Sequence, residues 1–205
     1  MRQQLDREAH MRSYETVEAF IADVKEVLAE NEPNDAMLER IAELMRALVH
    51  SPLVDRVHDE LSGNIHTGRQ ARPLYTDESG LTLVRGRFEP DALTPVHNHG
   101  SWGIIGVYRG RDRYQIWRRL DDRQGPGPAR VELIEERVLE PGDVAILPPP
   151  PQDIHAQQGL DGTPAYEFVL FGKNTMILPR LYFDSAQGTA VEVQLVPPDS
   201  SATGA

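Results

Sequence analysis

Two histidines separated by one residue, His97 and His99, stand in P-V-H-N-H-G-S-W-G-I-I-G-V-Y-R-G (95–110), in a chain that holds only seven histidines. On an extended strand, residues i and i+2 share a face. The pair is therefore either two ordinary strand residues or two imidazoles offered side by side to one metal ion. A third candidate ligand, His155, stands in L-P-P-P-P-Q-D-I-H-A-Q-Q. It follows the Pro141-Gly142-Asp143 turn and the apolar run Val144 to Leu147. A strand, a proline-rich bend and a His-bearing strand would carry a third imidazole across a barrel. Pro148 to Pro151 cannot donate to a ladder and are expected to fix that approach. Imidazole suits Fe, Zn, Cu or Ni, so the ligand type alone does not name the ion.

The rest of the composition narrows the chemistry. There are no cysteines, which removes disulfides, thiolate metal sites and cysteine nucleophiles. The net charge is −11, from 21 basic and 32 acidic side chains. Nucleic acid and anionic membrane both need a positive field, so neither is expected as a partner. Arginines nonetheless gather in the middle of the chain, at Arg85, Arg87, Arg109, Arg111, Arg113, Arg118 and Arg119. They are either strand-edge residues or include one or two that face a site and bind an anionic substrate group. The first residues are too polar for a secretory signal, and no apolar run approaches a membrane span. The expected setting is cytoplasmic.

The elements that must position the histidines fall into two textures. Val17, Phe20, Val24 and Val27 recur at helical spacing, and Asn31 to Asn34 break that segment. Asn34 or Asp35 can cap a second stripe of Leu38, Ile41, Met45 and Leu48. Ser51-Pro52 opens a third stripe of Val54, Val57 and Leu61, which Gly63 would end. From about Leu74 short β-rich runs alternate with turn signals. Strands are predicted near 81–88, 95–99, 103–109, 112–120, 130–139, 143–147, 153–158 and 164–172, and more weakly near 180–184 and 189–194. Many short strands with close turns predict a sandwich or barrel. The expected organisation is a helical cap over 1–70, a β-barrel over 71–195, and a small polar tail over 196–205 that is disordered.

The two histidine segments resemble the paired motifs of the cupin superfamily, a double-stranded β-helix. The first motif carries H-x-H, then usually a Glu, then a Gly. Here Gly103 or Ile104 stands at the Glu position and Gly110 closes the motif. The second corresponds to Gly142-Asp143, Pro148 or Pro149, and His155. Cupins lacking the Glu have a three-His site. The wording H-N-H-G-S-W-G-I-I-G-V-Y-R-G, together with the helical cap, resembles the cysteine dioxygenase branch (thiol dioxygenases), over roughly residues 15–185. The resemblance implies a mainly β fold, Fe(II) held by His97, His99 and His155, and oxidation of a small organic thiol to its sulfinate with O₂. Three neutral imidazoles leave the metal's charge uncompensated, which favours an anionic thiol. An octahedral ion held on one face keeps three positions open for substrate and O₂.

Several features of that branch are absent. Its Ser-x-His-x-Tyr triad falls on A-Y-E-F-V-L-F-G, where Glu167, Val169 and Phe171 stand instead. Its carboxylate-gripping Arg falls in Y-T-D-E-S, where Asp77 stands. The crosslinking Cys is missing. Cysteine is therefore not the expected substrate. Arg85, Arg87 or Arg113 could replace the cation, and Tyr166, Tyr108 or Tyr114 the hydroxyl; Tyr166 and Arg87 are taken as catalytic candidates. Glu167 is either an outward strand residue or a carboxylate in the barrel. Asn98 faces away from both ligands. Trp102 either walls the pocket or packs. His10, His50, His58 and His66 are expected at the surface of the cap or its linker. The alternatives are a cupin metalloenzyme acting on a non-thiol substrate, by carbon–carbon cleavage or isomerisation, and a cupin that only binds a small ligand. The sequence does not decide the oligomeric state.

Overall fold

The computed structural model describes residues 12–29, 34–62 and 71–194. Gly63, His10, His66 and the tail at 196–205 lie outside the described residues. Among the described residues three helices come first, α1 (Val17–Ala29), α2 (Asp35–Val49) and α3 (Leu53–Ser62). Asn34 caps α2 as expected, its side-chain oxygen accepting from the Met37 N–H at 3.0 Å. Ser51 does not cap α3 with its side chain. Its hydroxyl turns back and donates to the Leu48 carbonyl at 2.7 Å. Among the described residues no helix is long and apolar enough to cross a membrane.

Twelve strands follow: β1 (Ala71–Thr76), β2 (Thr82–Phe88), β3 (Val96–His97), β4 (Gly103–Arg109), β5 (Asp112–Arg119), β6 (Gly127–Pro128), β7 (Val131–Leu139), β8 (Val144–Leu147), β9 (Ile154–Gly159), β10 (Ala165–Phe171), β11 (Arg180–Asp184) and β12 (Thr189–Val193). They form two antiparallel sheets, ordered β1-β2-β10-β4-β8 and β6-β12-β11-β3-β9-β5-β7. From β2 to β5 and again from β7 to β11, each successive strand crosses to the opposite sheet. The chain thus winds as a double-stranded β-helix, the cupin barrel, with the helices as its cap. The predicted strands are all present. Strand β1 and the two-residue β6 are additional, and the predicted 95–99 strand shortens to Val96–His97.

Strand parity sorts the residues. On β10, Phe168 and Leu170 join Ile104 and Tyr108 of β4 in a core shared with α1, α2 and α3. Val169 and Phe171 join Ile105, Val107, Tyr114 and Leu147 inside the barrel. Trp102 packs in the helix-side core, not against the imidazoles. Helix α2 can lie on β4 because Gly106 has no side chain there. A Cβ would stand 2.7 Å from both Met45 Cγ and Val49 Cγ1. A third apolar cluster, with Ile154, Ala156, Leu181 and Phe183, covers the outside of the seven-stranded sheet.

Candidate metal centre

Register brings the three histidines together. His97 of β3 lies directly opposite His155 of β9, so both rings leave the sheet on the same face. His99 is not on the strand. It sits in the bend after β3, at a turn that Gly100 makes with φ +67°. Asp153 holds that bend. Its buried carboxylate accepts from the His99 N–H at 3.0 Å and the Gly100 N–H at 2.6 Å. One side chain, two residues before His155, therefore ties the two histidine-bearing segments together. Asn98 points away, as expected, and its Oδ1 accepts from the Leu181 N–H at 2.8 Å.

The candidate ligand atoms of the three imidazoles lie within 4.8 Å of one another. All three residues are buried, at 6%, 4% and 2% exposure. The His97 Nδ1–H donates to the Pro95 carbonyl at 2.8 Å. A carbonyl can only accept, so the Nε2 of His97 keeps its lone pair free. The Nε2 atoms of His99 and His155 face each other at 2.8 Å. Two imidazoles bound at right angles to an ion about 2.0–2.1 Å away would hold their nitrogens about 2.9 Å apart. The residues therefore fit a metal ion. Outward support is unequal: the Nδ1 atoms of His99 and His155 are buried without a hydrogen-bond partner.

Electrostatics favour neutral ligands. Burial, and then the charge of Arg180, push His97 down to about 4 against the pull of the Pro95 carbonyl. Burial also holds His99 and His155 well below the ordinary imidazole range. Neutral rings present lone pairs to a cation at pH 7.

Arg180, which the sequence reading missed, supplies the nearby positive charge. Strand β11 places Tyr182 opposite His97, and the two rings stack at 5.6 Å. Arg180, two residues earlier, shares that face. Its Nε is buried without a partner, and Nη2 makes a long contact to the Thr175 carbonyl at 3.4 Å. Burial lowers its pKa, with the Tyr182 hydroxyl acting in the opposite direction. The other walls are Phe171, whose ring is 4.6 Å from His99, and Tyr114, edge-on to His155 at 5.6 Å. Tyr114 is fully buried and its hydroxyl has no partner. Of the three tyrosines considered from sequence, it alone faces the barrel interior.

The catalytic candidates Tyr166 and Arg87 stand elsewhere. They are opposite one another on β10 and β2, on the face that turns toward the helices. Tyr166 packs edge-on to His58 of α3 at 4.8 Å, with the Arg85 guanidinium 4.7 Å over its ring. Arg85 also donates to the Tyr108 hydroxyl at 3.0 Å. Arg87 pairs with Glu89 at 3.0 Å. His58 is buried at 8% exposure in that cluster, so it is not a surface residue. Arg111, Arg113, Arg118 and Arg119 are engaged in ion pairs away from the imidazoles.

Glu167 is inside the barrel, not outside. It is wholly buried and shares the Gln157 amide with Asp112, at 2.8 Å and 3.1 Å. Burial and its neighbour Asp112 raise Glu167 well above the usual carboxylate range. Burial also pushes Asp112 up to about 6. Position 167 had the same strand parity as Val169 and Phe171, and that was the available signal.

No protein-family model matches the chain. Among solved structures it is similar to a DMSP lyase, DddQ from Ruegeria pomeroyi DSS-3, at 18% identity, TM-score 0.35, over 49% of this chain and 45% of that one. It is similar to an oxalate oxidase at 23% identity, TM-score 0.41, over 55% and 56%. It is also similar to a cupin-2 domain containing protein from Shewanella frigidimarina at 11% identity, TM-score 0.39, over 56% and 89%. The chain spans about half the length of the first two. The likeness is one of barrel fold, and the functional reading rests on the residues of this site.

Proposed function

We propose that the chain is a metal-dependent cupin dioxygenase that uses Fe(II) to oxidise a small anionic thiol to its sulfinate. The observation that carries this reading is a cluster of three buried imidazoles, with no carboxylate in the group among the described residues, next to a buried guanidinium with an unpartnered Nε. His97, His99 and His155 would hold the ion, which when bound supplies a Lewis-acidic centre where thiolate and O₂ can meet. In the net reaction both oxygen atoms of O₂ end on sulfur, RS⁻ + O₂ → RSO₂⁻, so no external reductant is needed.

The chain's own residues then have distinct tasks. Arg180 holds an anionic group of the substrate, in place of the cation missing at Asp77. The Tyr182 hydroxyl beside it and the Tyr114 hydroxyl in the floor are the donors within the barrel. Phe171 walls the ligands from water and lowers the local polarity. A non-thiol substrate is the second reading, favoured by one observation. The inward positions of β10 carry Glu167, Val169 and Phe171, and none of these offers the hydroxyl-bearing triad of the thiol enzymes.

The test is oxygen uptake by the Fe(II)-loaded protein against cysteine, cysteamine, 3-mercaptopropionate and mercaptosuccinate, with His155→Ala as control. Uptake matched one-to-one by sulfinate and abolished in the variant is the expected result. Stoichiometric iron with no uptake on any thiol would overturn the thiol reading and turn attention to diketones and other non-thiol substrates.

A further inference from the structure

Strand β7 is one of the two outer strands of the seven-stranded sheet and, among the described residues, pairs only with β5. Its nine residues, V-E-L-I-E-E-R-V-L, include four consecutive exposed positions, Leu133 to Glu136. A strand with one covered face alternates between buried and exposed; this one is open on both faces over that run. Three of the seven large apolar side chains found exposed among the described residues, Leu133, Ile134 and Val138, lie on it. The strand has no proline, glycine or lysine to discourage pairing. None of the backbone hydrogen bonds found outside the strand ladders involves residues 131–139.

The order of residues is self-complementary in one antiparallel register. With Glu136 opposite Glu136 of a second copy, Ile134 meets Val138 twice and Glu135 meets Arg137 twice. Shifting by one or two residues in either direction sets Glu135 or Glu136 against an apolar residue or sets Glu135 against a Glu of the other copy. The self-opposed Glu136 is the one acidic residue of the central stretch already neutralised by a cation from β5. Arg113 holds its carboxylate at 2.8 Å. The β-bulge at Ile134, where Ile116 pairs with Glu135 and Trp117 with Leu133, bounds the ladder to residues 134–138. Leu133 is left beside that ladder as an apolar flank.

We infer that β7 is a homodimer interface, with two copies of the chain joined edge to edge about a twofold axis at Glu136. An isologous contact of this kind closes on itself, so the assembly stops at two copies. The inference does not depend on the metal or the reaction.

The absence of cysteine from the chain makes the register directly testable. Opposed residues of an antiparallel pair have Cα atoms about 4.5–5.5 Å apart, within disulfide reach. Glu136→Cys is therefore expected to give a covalent dimer on mild oxidation, with Ile134→Cys giving little. Light scattering on the untreated protein, over about 1–100 μM, should give twice the 23.0 kDa chain mass. Ile134→Lys with Val138→Lys should halve that mass with the far-ultraviolet circular dichroism unchanged. A monomer throughout the range would overturn the inference. So would crosslinking at Ile134→Cys and not Glu136→Cys, or a dimer that survives the double lysine variant. Should the lysine variant misfold, the cysteine pair decides alone.

Discussion

The two faces of the five-stranded sheet carry similar chemical inventories with opposite fates. The helix-side face holds Arg85, Arg87, Tyr108, Tyr166 and, from α3, His58. The barrel side holds three histidines, Arg180, Tyr114 and Tyr182, contributed largely by the facing sheet. On the helix side the cations lie over tyrosine rings or pair with Glu89, and Arg85 finds the Tyr108 hydroxyl. That cluster joins cap and barrel and most of its polar groups are engaged, with the Nε of Arg87 buried without a partner. Inside the barrel, polar atoms converge and remain unpartnered: Nδ1 of His99 and His155, the Tyr114 hydroxyl, and Nε of Arg180. Residue type does not locate a site. Several unpartnered polar atoms converging on one buried space do.

The sharpest way to break this contrast is to remove a ligand. His99→Ala should weaken divalent metal binding by about 1,000-fold or more, because two imidazoles alone do not hold such an ion tightly. Titration with Co(II) followed by its visible spectrum reads this directly. Asp153→Ala should cost less, about 10–100-fold in metal affinity, with an altered Co(II) spectrum, because the ligands remain but the bend carrying His99 loses its anchor. An unchanged spectrum would assign Asp153 a purely structural part.

Arg180→Gln should leave metal content intact and raise KM for an anionic substrate about 10–100-fold, the worth of one charged hydrogen bond. The matched change on the other face, Arg85→Gln, should leave KM alone and lower stability by about 1–3 kcal/mol.

Glu167 and Asp112 predict a pH effect on stability. Both folded pKa values lie above the unfolded ones. The stability they confer is therefore complete below about pH 4 and is lost as pH rises through about 6, where Asp112 ionises. Wild type should lose on the order of 3 kcal/mol across that window from Asp112. Glu167→Gln should flatten the profile, as read by urea unfolding at a series of pH values. Smallest of all, Tyr166→Phe should change neither KM nor metal affinity, and stability by under about 1 kcal/mol.

Much of this was legible beforehand, for definite reasons. The strands were short, rich in Val and Ile, and punctuated by Gly-Asp and Pro-Gly turns, so their positions followed from local chemistry. The three candidate ligands, which the fold brings together, were suggested by H-x-H and by a histidine after a proline-rich bend. What the sequence could not supply was parity across strands. Tyr166 and Glu167 are neighbours with similar credentials, and only the pairing of β10 with β2 and β4 decides that Glu167 enters the barrel. Arg180 was missed because β11 is five residues long with a weak pattern, and its nearness to His97 exists only through the β3–β11 pairing. The part played by Asp153 is likewise a contact between segments 54 residues apart.

The central claim is that the barrel interior holds one divalent metal on His97, His99 and His155. The most direct measurement is metal content per chain by elemental analysis after Fe(II) or Co(II) loading and desalting, for wild type, His155→Ala and Tyr166→Phe. One ion per chain in wild type and Tyr166→Phe, and none in His155→Ala, is the predicted result. A metal-free wild type, or an ion retained in His155→Ala, would contradict it.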